Sequence, residues 1–275
     1  MRVRVLTYNV QHDAGDSRRT ALINAELRRL APDVVVFQEV RYPDESSDQL
    51  AALVDGLALR TAHQAEILAE MPPDADVYGG TAIATRWPHR ILDVVDGRTP
   101  DGIYWYTLAV SVELPDLGPV LLLTPTTFWK LDAEAWRERQ MRELAALDTR
   151  HRTTLPSIVA GDFNAVPETA SIRFLTGLQS LGGDSACYHD AWAVAGDGPG
   201  HTWTADNPVG AAEIERLVGQ PGVRCRIDYV FVGSVPAHPD ARARVVGAQL
   251  VGDRPIDGVW LSDHYGVVAD LEYTR

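Results

Sequence analysis

The chain is poor in cysteine, in positive charge and in long apolar runs. Only Cys187 and Cys225 occur in 275 residues. Two thiols do not make a disulfide framework, and the pair lacks zinc-ligand spacing. No apolar run approaches the roughly 18 residues that a membrane-crossing helix needs. The start of the chain runs directly into an Arg/Val alternation from Arg2 to Val10. A charged leader, an apolar segment and a small-residue cleavage site are not seen there, so the expected location is cytoplasmic. Lys+Arg total 25 against Asp+Glu 38, a net charge of -13. That balance argues against a dedicated duplex-DNA binder, which needs basic surface to displace counterions. No Gly/Ser-rich linker, repeat or low-complexity tract divides the chain, so residues 1–275 are expected to form a single domain.

What is present is ordinary globular material, 45% hydrophobic and 23% charged. Short β-branched runs bounded by Gly, Pro or Asp predict strands at Val3 to Tyr8, Val34 to Gln38, Thr81 to Thr85, Ile91 to Val95 and Tyr104 to Val112. Further runs lie at Val120 to Thr124, Ser157 to Ala160, Arg226 to Val232, Arg244 to Leu250 and Gly266 to Leu271. Helical spacing appears from Ser17 to Leu30 and from Asp132 to Leu147, with Asp132 as N-cap, and more weakly from Ser47 to Leu59. Another helix is expected after Pro167, a residue suited to a first helical position. Gly182 to Gly222 reads as a long irregular stretch, which in a compact domain points to function. Ten strands exceed what one open twisted sheet holds comfortably. The expected fold is therefore α/β, a four-layer α/β sandwich with two mixed β-sheets packed face to face and helices outside.

Several of these runs end in polar residues. Thr7-Tyr8-Asn9, Phe37-Gln38-Glu39, Gly161-Asp162-Phe163-Asn164, Arg226-Ile227-Asp228-Tyr229 and Ser262-Asp263-His264 all follow or flank apolar segments. Hard oxygen donors with one imidazole suit a magnesium site acting on phosphate. Each tripeptide alone also reads as a turn or cap.

Taken in order across nearly the whole chain, these segments resemble the endonuclease/exonuclease/phosphatase superfamily, the fold of DNase I-like nucleases, inositol polyphosphate 5-phosphatases and neutral sphingomyelinases. Gly80-Thr81-Ala82-Ile83-Ala84-Thr85-Arg86 is a weaker match. The resemblance implies a phosphoesterase using Mg²⁺ or Mn²⁺, with Glu39 as principal metal ligand and Asn9 and Asp263 in the same site. It implies that Asp162 orients or deprotonates the attacking water and that Asn164 holds the water or a phosphate oxygen. His264 is placed against the phosphate, with Asp228 fixing its ring.

Departures from the family pattern bear on activity. The family's central-strand histidine is absent, and Thr126 stands at its position in Val120-Leu121-Leu122-Leu123-Thr124-Pro125-Thr126. Thr81 replaces the family's asparagine, and an arginine common near Tyr106 is missing. Lys130, His201 or His12 is a candidate to supply the lost donor. Trp203 and Asn207 are candidate cleft residues, and Trp105, Trp129, Trp203 and Trp260 are candidates for an aromatic wall. The expected substrate is small or lipid-like. A nuclease of the same family, or a repurposed non-hydrolytic enzyme or binding protein, is the alternative.

Overall fold

The computed structural model of the chain describes residues 1–68, 79–98, 102 and 104–275. Two six-stranded mixed sheets dominate it. The first runs β13 (Arg242–Val251), β14 (Gly266–Thr274), β1 (Arg2–Asn9), β2 (Val34–Val40), β4 (Gly80–Thr85) and β3 (Arg60–His63). The second runs β5 (His89–Arg98), β6 (Tyr104–Leu114), β7 (Gly118–Thr126), β8 (Ile158–Asp162), β12 (Asp228–Gly233) and β9 (Tyr188–Asp190). A small ribbon, β10 (Trp203–Thr204) with β11 (Arg224–Cys225), stands apart.

The central strands are nearly continuous apolar runs because both of their faces are covered. Val3, Val5, Val34, Val36, Leu122, Ile158 and Val230 belong to the core between the sheets. Their neighbours Leu6, Val35 and Phe37 point outward onto Ile23, Leu27 and Leu30 of α1 (Arg19–Leu30) and Leu50 and Leu53 of α2 (Gln49–Val54). On the other side, Leu121, Leu123 and Val159 meet Met141, Leu144 and Leu147 of the helix Glu134–His151. Alternate residues of one strand thus feed different layers, the period-2 rule of extended chain. This is the four-layer sandwich expected from the strand count.

Local expectations needed correction. Asp132 does not cap the long helix, whose N-cap is Ala133 without a side-chain bond. The helix expected at Pro167 begins later, at Ala170–Leu175, with Thr169 before it. The Ser47 to Leu59 segment contributes only α2, started by Asp48 accepting from the Ala51 N–H. The stretch read as irregular holds β9, β10 and two helices, Ala191–Ala195 and Pro208–Leu217. Asp190 and Asn207 cap those helices, so their Asp and Asn content marks helix starts rather than loop. Among the described residues no helix is long and apolar enough to cross a membrane.

Candidate functional site

Strand direction explains why distant segments converge. β1 and β2 are parallel, as are β7 and β8. Their C-terminal ends carry Asn9, Glu39, Thr126 and Asp162 to the same edge of the sandwich. β12 runs antiparallel to β8 with Asp228 opposite Asp162, and β14 runs antiparallel to β1 with Val267 opposite Thr7. Their N-terminal ends therefore bring Asp228 and the preceding His264 to that edge as well.

The hydrogen bonds there are specific. The Asn9 amide donates to Glu39 Oε1 at 2.9 Å and to Asp162 Oδ2 at 3.3 Å, bridging the two sheets. His264 Nδ1 lies 3.0 Å from Asp228 Oδ2 and 4.0 Å from Asp162 Oδ2. Ser262 Oγ donates to the Asn9 carbonyl at 2.7 Å, and the His264 N–H donates back to Ser262 Oγ at 3.3 Å. Asp162 Oδ1 accepts from the Asn164 N–H, and the Asn164 side-chain amide donates to Thr127 Oγ1 at 3.3 Å.

Two of these residues sit in left-handed backbone. Glu39 has φ 55° and Asn164 has φ 49°. At Glu39 the ladder between β2 and β4 slips, with Gln38 and Glu39 opposite Thr81 alone. Such a bulge re-aims the side chain at an element's end. Gly79 makes it possible. A β-carbon there would stand 2.6 Å from the Val40 carbonyl oxygen, and its φ is 64°.

The electrostatics are crowded with negative charge. Asp162, Asp228 and Asp263 are buried and Glu39 is half-buried. Sequestration from water, reinforced by Asp263, pushes the Glu39 carboxyl up to about 8. Burial and the Asp228 carboxylate push Asp162 up to about 7. For His264 burial works against the charge, yet Asp228, Asp162 and Asp263 outweigh it and hold the imidazole well above its ordinary value. Asp228 Oδ1 is buried without a hydrogen-bond partner. Carboxylates held together against their repulsion, with one imidazole among them, form a donor set suited to a divalent cation. Among the described residues, Asp162, Asp228 and His264 offer ligand atoms within 4.8 Å of one another. This cluster differs from the Asn9, Glu39 and Asp263 set expected from the sequence.

A cavity of about 350 Å³ opens onto these groups. Asn9, Glu39, Asp162, Asn164, Asp263, His264, Thr126 and Trp203 line it, whereas Asp228 lies behind the imidazole. Lys130 and His201 are not lining residues. Asn207 is fully buried and structural: its side chain caps the helix Pro208–Leu217 and donates to the Ser262 carbonyl at 2.8 Å. Of the candidate aromatic wall, Trp129 and Trp203 face the cavity. Trp105 packs on Phe128, and Trp260 stacks on Tyr265.

Sequence reading missed several supports. Arg19 donates through its guanidinium to the carbonyls of Leu261, Val10 and Ala14, tying β1's end to the His264 segment. Its signal was position: it precedes Ile23 by four on the buried stripe of α1. Thr202 Oγ1 accepts from the N–H groups of Ile227 and Asp228, and nothing in its tripeptide marks that role. Gln64 and Tyr106, both buried, also line the cavity.

Residues 6–264 match the model of the Endonuclease/Exonuclease/phosphatase family. No curated protein matches the sequence. The fold is similar to a crystal structure of D. rerio TDP2 complexed with single-strand DNA product, at 20% identity and TM-score 0.67, covering 98% of this chain and 99% of that one. It is similar to the human Nocturnin catalytic domain with bound sulfate anion, at 18% identity and TM-score 0.68, covering 99% and 95%. A Bacteroides vulgatus endonuclease/exonuclease/phosphatase aligns over 100% of both chains at 18% identity and TM-score 0.65.

Proposed function

The chain belongs to the endonuclease/exonuclease/phosphatase family, and on that footing we propose that it hydrolyses phosphoesters with the help of Mg²⁺ or Mn²⁺. The observation that carries this reading is the meeting of Asn9, Glu39, Asp162, Asp228 and His264 at one end of both sheets. Asn9 is hydrogen-bonded to Glu39 and Asp162, His264 is hydrogen-bonded to Asp228, and the two sets are 4.0 Å apart at His264 and Asp162. Asp263 lines the same cavity.

Glu39, with Asn9 and Asp263, would hold the cation. The bound ion supplies charge neutralisation of the anionic ester and polarisation of its oxygens. Asp162 is the base that takes the proton from the attacking water. A carboxyl raised to about 7 holds a proton well enough to accept one near neutrality. Asn164, whose own N–H fixes the Asp162 carboxylate, positions the water or a phosphate oxygen. His264 uses Nδ1 on Asp228, which leaves Nε2 for the substrate, to stabilise charge or return a proton to the leaving oxygen. Asp228 is thereby a positioning residue. The tight Asp162, Asp228 and His264 cluster is read as this proton-handling set because its imidazole nitrogen is already engaged by a carboxylate.

The substrate is proposed to be small or lipid-like. The cavity volume suits a compact ligand. Its lining includes Trp129, Leu131, Val166, Trp203 and Ile227, apolar surface suited to a carbon-rich group. Trp129 and Leu131 are also among the exposed large hydrophobics. A nuclease is the second reading, since one fold relative was crystallised with single-strand DNA product. The net charge of -13 weighs against it. Cleavage of phosphomonoesters, phosphodiesters, nucleic acids and phospholipids with and without Mg²⁺ tests the reading. Metal-dependent turnover of a small ester or phospholipid supports it. No turnover of any of the four removes the enzyme assignment.

A further inference from the structure

We propose that the site selects monoanionic phosphodiesters over dianionic phosphomonoesters, and that Thr81 and Thr126 set this preference. The inference rests on the phosphoesterase reading above and narrows its substrate class. It starts from a census of charge around the cavity. The carboxylate lining residues are Glu39, Asp162, Glu213 and Asp263, and the basic ones are Arg137, Arg216 and His264. Both guanidinium groups are already matched. Arg137 is buried and donates to Glu134 and to the carbonyls of Phe128 and Lys130. Arg216 grips Glu213 through Nε and a terminal nitrogen. Lys130, the chain's sole lysine, does not line the cavity. Residues 69–78 and 99–103 contain no Lys, Arg or His.

Beside Glu39 and Asp162, on the neighbouring strands β4 and β7, the wall is neutral and closed upon itself. Thr81 Oγ1 and Thr126 Oγ1 lie 2.9 Å apart, joining β4 of one sheet to β7 of the other. The Thr81 N–H donates to Gln64 Oε1 at 2.8 Å and to the Tyr106 hydroxyl at 3.1 Å. Tyr106 donates in turn to Gln64. Burial pushes the Tyr106 phenol up to about 12, so it carries no charge near neutrality. Hydroxyl and amide dipoles orient a phosphoryl oxygen but do not neutralise it. A second full negative charge on the ester would face buried carboxylates without a new cationic partner. A diester brings one charge fewer to the same place.

The chemistry is balanced as a single hydrolysis. Water's oxygen bonds to phosphorus, and one of its two protons passes to Asp162. The bond from phosphorus to one ester oxygen breaks, and that oxygen departs as its anion, or as the alcohol or phenol with a proton from His264. The remaining product is a monoester that loses water's second proton to solvent and becomes dianionic. The neutral wall retains it poorly, so the reaction stops after one cleavage.

The test uses the full chain with Mg²⁺ or Mn²⁺ and bis(4-nitrophenyl) phosphate, followed by nitrophenolate absorbance and ³¹P NMR. One nitrophenolate per phosphorus is expected, with 4-nitrophenyl phosphate as the final phosphorus species. Supplied separately, that monoester should show a kcat/KM lower by about 100-fold, as expected for one uncompensated charge in a sequestered site. Thr126→Lys should narrow the gap at least about tenfold by supplying the missing cation, with Thr126→Arg as a second variant if the first does not keep the wild-type Tm. Release of two nitrophenolates, or a monoester rate equal to the diester rate, would overturn the selectivity and leave the phosphoesterase reading standing. An unchanged preference in a folded lysine or arginine variant would overturn the role of the threonine wall. Turnover of neither ester would overturn this inference, and the phosphoesterase reading falls with it when nucleic acids and phospholipids are left uncut as well.

Discussion

Asp228 and His264 give the sharpest expectation for a single side chain. Their 3.0 Å contact fixes the ring nitrogen that faces inward. Asp228→Asn keeps the shape but removes the charge that favours this tautomer. We expect kcat to fall by about 10²- to 10³-fold, within the range of positioned acid–base groups. Metal affinity, read by calorimetry, should remain within a few-fold of wild type. A large loss of affinity would move the cation to the Asp162, Asp228 and His264 cluster. At this scale the acidic residues were legible because each ends or begins a patterned apolar run. The Asn9 bridge was not. That one amide contacts carboxylates of both sheets is a matter of packing distance, which no tripeptide encodes. Lys130, His201 and Asn207 were chosen for chemistry and nearness in sequence. For Asn207 the competing use prevailed, since Asn before Pro is also a strong helix start.

Short elements around the site act as props, and the helix Pro208–Leu217 is the clearest. Asn207 holds its first turn through the Val209 N–H and reaches the Ser262 carbonyl with the same side chain. Asn207→Ala should cost about 1 kcal/mol or more in stability from the lost cap. It should also lower kcat more than it raises KM, because it loosens the segment carrying Asp263 and His264. Unchanged kcat with the expected loss of Tm would make the contact purely structural. Ten strands were readable from their β-branched runs, and all ten are present. The missed ones, β3, β9, β10 and β11, are two to four residues long. At that length there is too little alternation for a period to register. The long helix was found by its spacing, but its start was misread because Asp132 lies one residue outside the observed cap.

Across the whole molecule the site is a concentration of like charge that the fold holds together. Glu39 and Asp162 bind their protons more tightly folded than unfolded, at about 8 and about 7. His264 is raised as well. Unfolding therefore releases protons once pH exceeds the ordinary carboxylate range. Stability from these groups is full below that range and falls as pH rises through the folded values. Metal-free protein should lose Tm between about pH 5 and about pH 8. Exposed Asp16 and Asp44, held low by Arg18 and Ser46 respectively, titrate at about 2 and lie outside this window. Mg²⁺ at a hundredfold excess over its Kd adds about 2.7 kcal/mol by mass action, and should restore Tm most at the alkaline end. A Tm that rises across the window without metal would contradict the crowding. The layered architecture was legible from strand number, which exceeds what one open sheet holds. The cavity was not, because one wall joins Gln64, Thr81, Tyr106 and Thr126 through contacts between separate sheets.

The most direct test of the central claim is the rate of bis(4-nitrophenyl) phosphate hydrolysis against Mg²⁺ concentration, measured for wild type and Glu39→Ala. Wild type should show saturable dependence on the ion. The variant, with an unchanged circular dichroism spectrum, should lose at least about 100-fold in kcat/KM, as for other groups that stabilise charge at the reacting centre. Equal turnover in both proteins, or hydrolysis indifferent to chelation, would contradict the account.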